Sequence, residues 1–196
     1  MVLVTHPSLP VNTVRKLIAY AKAHPNTLNF ASPSKATQLP MELFNAMAGT
    51  PMTNVPYKGS GPALTDQLAG RIQVGFGCAA SVMPHVRAGK LRALAIGDDK
   101  RSSLMPEVPT VAEAALPGFQ ATVWTGFFAP SSTPRAIICK LNEETVRALR
   151  EPEFKKKLET AAFEPVGSTP EQCDAFIGSE IGKWAKVAKD AGIQPD

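Results

Sequence analysis

The stretch from Met52 to Gly70, MTNVPYKGSGPALTDQLAG, constrains the fold more than any other part of the chain. A half-apolar run, Met52 to Val55, ends at Pro56, and Tyr57-Lys58-Gly59-Ser60-Gly61 reads as a turn. Pro62-Ala63-Leu64 restarts the chain as a helix, where proline is tolerated in the first turn. A strand that ends in a Gly/Ser loop and feeds a helix brings unpaired N–H groups and the positive end of the helix dipole to one spot. That spot suits an anion. Lys58 adds a full positive charge beside it. Phosphate and carboxylate both satisfy this chemistry, and the alternative is that Ser60 merely caps the helix.

The same device stands earlier in the chain. Leu28-Asn29-Phe30-Ala31 reads as a strand, and Ser32-Pro33-Ser34-Lys35-Ala36-Thr37 is a polar loop feeding a helix. That helix has Leu39, Leu43, Phe44 and Met47 on its inward face and stops at Gly49. On parallel strands, two such loops lie along one edge of the sheet, the edge where ligands bind in open α/β folds. One loop is a cap; two in phase make a site. The binding candidates are therefore Ser32, Ser34, Lys35 and Thr37 in the first loop, with Tyr57, Lys58, Gly59 and Ser60 in the second.

Around these loops the alternation continues. Leu3-Val4 opens a strand, and Asn12 or Thr13 caps a helix through His24 with Val14, Leu17, Ile18 and Ala21 on one face. Strand Ile72–Phe76, helix Ala80–Ala88 and strand Leu91–Ile96 follow the second loop. This βα repetition predicts an α/β fold with a mostly parallel sheet. Asp98-Asp99-Lys100-Arg101-Ser102 reads as a solvated surface turn. Thr110 caps a short helix with Glu113 as its capping-box partner. Ala121–Phe128 (ATVWTGFF) reads as a long aromatic strand passing from one substructure to another. Beyond it come helices over Pro134–Arg150, Glu151–Thr160 and Thr169–Ala191, with a short strand at Phe163–Val166. In the last helix Ile177, Ile181, Trp184 and Ala188 form an apolar stripe, with Trp184 as a core anchor.

Composition removes several function classes. The 196 residues are 44% hydrophobic and 19% charged, an ordinary folded chain. No apolar run approaches the roughly 18–20 residues needed to span a bilayer. Thr5 and His6 interrupt the N-terminus, so this stretch carries no signal peptide, as a mature or truncated exported protein also would not. Residues 1–130 hold 11 Lys/Arg against 6 Asp/Glu, and the remainder 10 against 11. A mildly basic first part fits a small anion. Nucleic acid calls for basic stripes with interleaved aromatics, and these are missing. Cys78, Cys139 and Cys173 form no CxxC pair, and His6, His24 and His85 do not complete a ligand set, so neither a metal nor another cofactor is expected. No G-x-S-x-G, H-E-x-x-H or P-loop is present, which favours a binder over an enzyme. One competitor remains. Gly75-Phe76-Gly77-Cys78-Ala79-Ala80 matches G-x-G-x-x-A between a strand and a helix, with Asp98 and Asp99 downstream, as in dinucleotide-binding enzymes. A proline at 84 and the polar Arg71 and Gln73 beside that strand weaken the match.

Five blocks, in order, carry a resemblance that spans the chain. They are VPYKGSGPALTDQLAGRIQVGF (Val55–Phe76), MPHVRAGKLRALAI (Met83–Ile96), EVPTVAEA (Glu107–Ala114), WTGFFAP (Trp124–Pro130) and EPVGSTPEQ (Glu164–Gln172). Together they resemble the tripartite tricarboxylate transporter receptors, the Bug or TctC-like solute-binding proteins. The resemblance implies a type II periplasmic-binding-protein fold, in which two α/β lobes close on a small carboxylate and hand it to membrane transporter subunits. It implies a periplasmic, non-enzymatic protein. Residues 2–122 would be the family's second lobe, complete. Residues 123–196 would be the crossover strand and C-terminal helices of an incomplete first lobe, because family chains begin well before the point matching Met1. Half the cleft would then be missing, leaving as a further possibility a self-associating fragment that binds nothing.

Two departures from the family pattern matter. The loop at Ser32–Thr37 lacks the glycines usual there, and glycine permits close backbone approach to a ligand. Lys35 could compensate by charge. A family acidic position near Gly77-Cys78 is also lost, which bears on recognition of an amino group. Finally, Leu141, Leu149, Phe154, Phe176 and Ile181 would lie exposed without the first-lobe sheet, so a homo-oligomer or domain swap is expected.

Overall fold

Local signals start most of the helices. Thr13, in extended conformation, accepts a hydrogen bond from the Lys16 amide at 3.2 Å and opens α1 (Val14–Ala23), which buries Val14, Leu17 and Ala21. Thr110 and Glu113 exchange bonds of 3.1 Å with each other's amides and start α5 (Val111–Ala114). Gly49, with φ of 62°, supplies the left-handed residue that closes α2 (Lys35–Ala48). The computed structural model describes residues 1–103, 105–161 and 163–193.

The five strands are β1 (Val2–Thr5), β2 (Asn29–Ser32), β3 (Thr53–Pro56), β4 (Val74–Gly77) and β5 (Arg92–Ile96). Between them run α1, α2, α3 (Ser60–Leu68) and α4 (Ala79–Arg87). The sheet order is β3-β2-β4-β1-β5. β2 pairs in parallel with β3 and β4, whereas β1 runs antiparallel to both β4 and β5. The sheet is therefore mixed: β1 is reversed and the other four strands point one way. The βα alternation announces the four but not the reversal, because pairing direction leaves no trace in local periodicity.

The sheet has a core on each side. On one, Phe119 stacks on Phe76 at 5.8 Å and meets Phe44 edge-on at 6.2 Å. On the other, Val2 and Val4 join Val82, Leu91, Ile96, Met105 and Val108. Helix α2 turns Pro40, Met41, Phe44 and Ala48 inward. Of the expected inward set only Phe44 is buried; Leu39 and Leu43 are half-buried and Met47 is exposed. Two apolar stripes lie side by side on this helix, and the one carrying Phe44 wins because it reaches the aromatic cluster.

Two further expectations fail. Ala121–Phe128 and Phe163–Val166 form no strand. Both have the apolar composition of strands, but among the described residues neither finds a ladder partner, and β propensity expresses itself only on a pleated, paired surface.

Contacts divide the chain into two compact units, residues 1–123 with the chain from Asp190, and residues 124–189. The second unit contains α6 (Arg135–Arg150), α7 (Pro152–Thr160) and nearly all of α8 (Pro170–Asp190). Thr169 and Gln172 form the capping box of α8, at 2.9 and 3.2 Å. Neither α6 nor α7 buries a residue, and α8 buries only Glu180. Leu141 is 56% exposed, Phe154 42%, Phe176 37% and Ile181 65%, while Leu149 is half-buried. Trp184 is half-buried and donates its ring N–H to Glu180 at 2.9 Å.

The glycines of Gly75-Phe76-Gly77 have a packing cause. A Cβ on Gly77 would meet Val82 Cγ1 at 2.3 Å, and one on Gly75 would meet the Gln67 amide at 3.3 Å. They let α3 and α4 lie close on β4. Gly77→Ala should therefore destabilise the chain by about 1–3 kcal/mol through overpacking. Gly75→Ala should cost less, because the end of the Gln67 side chain can yield. Urea unfolding midpoints of the two variants check the order.

Candidate functional site

The two candidate loops leave adjacent parallel strands at the same level. Ser32 is in register with Pro56, and the Tyr57 amide donates to the Ser32 carbonyl at 3.1 Å. The chain beyond each strand is thus tied to its neighbour before it enters its helix. Helices α2 and α3 start from these loops, so their first-turn N–H groups and dipole ends share one edge of the sheet. β4 is parallel to β2, and Cys78 caps α4 at that edge as well, a third repetition of the device.

The first loop is built around Ser34. This residue is the N-cap of α2, and the Thr37 hydroxyl accepts from the Ser34 amide at 3.2 Å and donates to its carbonyl at 2.9 Å. Thr37 therefore fixes the helix start. Ser32 is buried at 6% exposure, and Ser34 and Lys35 face solvent. In the second loop the cap of α3 is Gly59, at φ 106° and ψ 167°, a conformation L side chains rarely adopt. Ser60 is the first residue of the helix and not its cap. A Cβ on Gly59 would meet nothing within 4 Å, so the backbone here is open to approach. Lys58 and Ser60 are exposed.

Tyr57 is placed differently from the other candidates. Its ring packs against Ala31, Ala63 and Ile72, and its hydroxyl donates to Asp66 Oδ2 at 2.8 Å. The other carboxylate oxygen, Oδ1, accepts from Arg71 at 2.9 Å. Burial, and then the bond to Asp66, pushes the Tyr57 phenol above its ordinary range. Both Tyr57 donors are thus engaged within the protein. Asp66 and Arg71 were not sequence candidates, since nothing in their spacing announces a partner in the preceding loop. At the end of β5, Asp98 is half-buried and accepts from the Thr122 hydroxyl at 2.8 Å and the Asp99 amide at 2.9 Å, more than a free surface turn would do. Among the described residues no group of three or more His, Cys, Asp or Glu side chains converges as a metal site would require.

The model of the tripartite tricarboxylate transporter family receptors (TctC) matches residues 1–193. The chain belongs to this family of receptors. Protein BugT of Bordetella pertussis is 39% identical over 196 residues, covering 99% of this chain and 60% of BugT. The chain thus spans about three fifths of the length of that curated relative. Among solved structures, R. palustris Rpa4515 with adipate superimposes with a TM-score of 0.87 at 36% identity, over all of this chain and 66% of that one. MatC (Rpa3494) from Rhodopseudomonas palustris with bound malate gives 0.77 at 31% identity, over 95% and 65%. This receptor chain therefore has the family's α/β fold, in part.

In the TctC-family chain the Tyr57–Asp66–Arg71 group also sets a pH response. The bond from Tyr57, and then that from Arg71, hold the Asp66 carboxyl below its ordinary value of 3.8. A depressed carboxylate contributes stability that is complete above its unfolded pKa and is lost as pH falls through the folded one. The stability gap between wild type and Asp66→Asn should be full at neutral pH and close progressively below pH 3.8. Urea unfolding followed by circular dichroism across that range checks it.

Proposed function

We propose that this chain is the ligand-binding lobe, with part of the opposing lobe, of a periplasmic solute-binding receptor for a small carboxylate. The observation that carries the reading is the pair of helix N-termini on adjacent parallel strands, joined by the Tyr57 amide on the Ser32 carbonyl. Backbone N–H groups at such ends, with Lys35 and Lys58 on the same two loops, suit a carboxylate and hold it without covalent chemistry. Ser32, Ser34 and Ser60 present hydroxyls and amides, Gly59 opens the backbone, and Thr37 and Tyr57 fix the loops. Rpa4515 with adipate and MatC with malate support a dicarboxylate as the ligand class. Membership of this receptor family supports the reading that the protein delivers its ligand to the membrane subunits of a tripartite tricarboxylate-type transporter, as a binder and not as an enzyme. Residues 2–122 form the lobe that binds, and residues 123–196 belong to the other.

The exposed apolar residues of α6–α8 support a second element of the reading, that this chain self-associates or swaps a domain. Light scattering at micromolar concentration should give a mass at least twice the 20.9 kDa of the chain; a clean monomer refutes self-association.

Ligand binding is tested by thermal shift against adipate and malate at millimolar concentration. A ligand at 100 times its Kd adds about 2.7 kcal/mol, which is several degrees in Tm for a domain of this size. Alanine at Ser32, Thr37 or Ser60 should each weaken binding by about 1 kcal/mol, roughly fivefold. The same three alanine variants are titrated with adipate and malate by calorimetry. If all three leave the affinity untouched, the two loops are not the site.

A further inference from the structure

The exposed segment Lys58–Gly61, a bend at Lys58-Gly59 leading into the first two residues of α3, has little holding it in place beyond the helix start and the Thr65 hydroxyl donating to the Gly61 carbonyl at 3.1 Å. Lys58, Gly59, Ser60 and Gly61 are all exposed, Gly59 has no side-chain cap bond, and open space surrounds the positions where Cβ atoms on Gly59 and Gly61 would lie. Two glycines in four residues make this backbone cheap to disorder. Its order must therefore come from its two ends. One end is Tyr57; the other is the remainder of helix α3, which contains Asp66.

Those ends are fastened to each other. Tyr57 is held at three points: its amide on the Ser32 carbonyl at 3.1 Å, its ring on Ala31, Ala63 and Ile72, and its hydroxyl on Asp66 at 2.8 Å. Asp66 is itself fixed. Its carbonyl accepts from the Arg71 amide at 2.9 Å and the Ile72 amide at 3.3 Å, and its second carboxylate oxygen takes the Arg71 guanidinium. The Tyr57–Asp66 bond thus closes the segment that contains the whole exposed turn. We propose that Asp66 is a positioning residue: acting through the Tyr57 hydroxyl, it clasps the Lys58–Gly61 turn in one conformation, with its amides already set for an anion. This inference rests on the carboxylate-receptor reading for its purpose, but the clasp itself does not. A site ordered before its ligand arrives loses less freedom on binding and so binds more tightly. Asp66 is well suited to the task because Arg71 balances its charge beneath the loop.

The competing account is that Asp66 merely pairs with Arg71 to close the turn after α3. Arg71 is 74% exposed, and an ion pair so wet contributes little. The two accounts predict different behaviour for Asp66→Asn. An asparagine keeps an oxygen for the Tyr57 hydroxyl but loses the ion pair.

The experiment uses the 196-residue chain and its Tyr57→Phe, Asp66→Asn and Asp66→Ala variants. Backbone 15N relaxation reads the order of the turn without any ligand. In Tyr57→Phe and Asp66→Ala the order parameters of Lys58–Gly61 should fall from about 0.85 to below about 0.6. The amide of residue 57 should exchange about tenfold faster while the amides of the inner strand at Val2–Thr5 do not change. Asp66→Asn should stay near wild type in both. Calorimetry with adipate as probe should show about tenfold weaker binding for Tyr57→Phe and Asp66→Ala, and near-normal binding for Asp66→Asn. An ordered turn in Tyr57→Phe, or equal damage from asparagine and alanine at 66, overturns the clasp. Loss of order with adipate affinity unchanged supports the clasp and instead overturns the reading of this turn as a ligand site.

Discussion

Strand β1 is the member on which the rest of the first unit depends. All four of its residues are buried, and it is hydrogen-bonded to β4 on one side and β5 on the other, antiparallel to both. Val2 and Val4 feed one core and Leu3 the other, each worth about 1.5–3 kcal/mol of burial. Without β1, β5 would lose its ladder to the rest of the sheet, and the cluster of Leu91, Ile96, Met105 and Val108 would lose its floor. Because β1 occupies the reversed place, the remaining four strands can all end at one edge. The helix starts that make the candidate site follow from that geometry.

The site is also organised by where charge is kept. Lys35 and Lys58 stand exposed on the two loops at the edge, and three helices begin there. The carboxylate nearest the second loop in sequence, Asp66, is turned along α3, engaged by Tyr57 and balanced by Arg71. A carboxylate left pointing at the same edge would oppose an incoming anion and cancel much of what the helix ends supply. Close approach of α3 and α4 to β4, which brings those helix ends to the sheet, is permitted by the glycines at 75 and 77. The motif that resembles a dinucleotide fingerprint is therefore accounted for by packing against Gln67 and Val82.

Legibility in the sequence followed the range of the interaction. Thr13, Thr110 with Glu113, and Gly49 announce helix ends because each acts within one turn of its own position. The candidate loops were legible for the same reason, as strand, polar loop and helix start lie consecutively. What depended on distant partners was not. The reversal of β1 is decided by β4 and β5, more than sixty residues away. Ser60 has the chemistry of a cap, yet the chain rotates so that Gly59 takes the position. The Tyr57 hydroxyl has the chemistry of a ligand contact, yet it finds a carboxylate two helical turns along. ATVWTGFF has strand composition, but composition cannot supply a neighbouring strand.

The second unit carries that reasoning furthest. Its helices have every local device: a capping box at Thr169 and Gln172, an ion pair between Arg135 and Glu171, and Lys140 set beside Glu144 on α6. Such devices contribute a few tenths of a kcal/mol to about 1 kcal/mol each and are weakened by salt. Helices of 16, 9 and 21 residues are marginal on such terms alone, because most helical stability in proteins comes from burying an amphipathic face. Here no residue of α6 or α7 is fully buried, and α8 fully buries only a glutamate in place of its apolar stripe. Among the described residues, the aromatic contact that ties the start of the unit to α8 is Trp124 edge-on to Phe176 at 5.4 Å. Strong local encoding with so little burial is the physical ground for the proposed self-association.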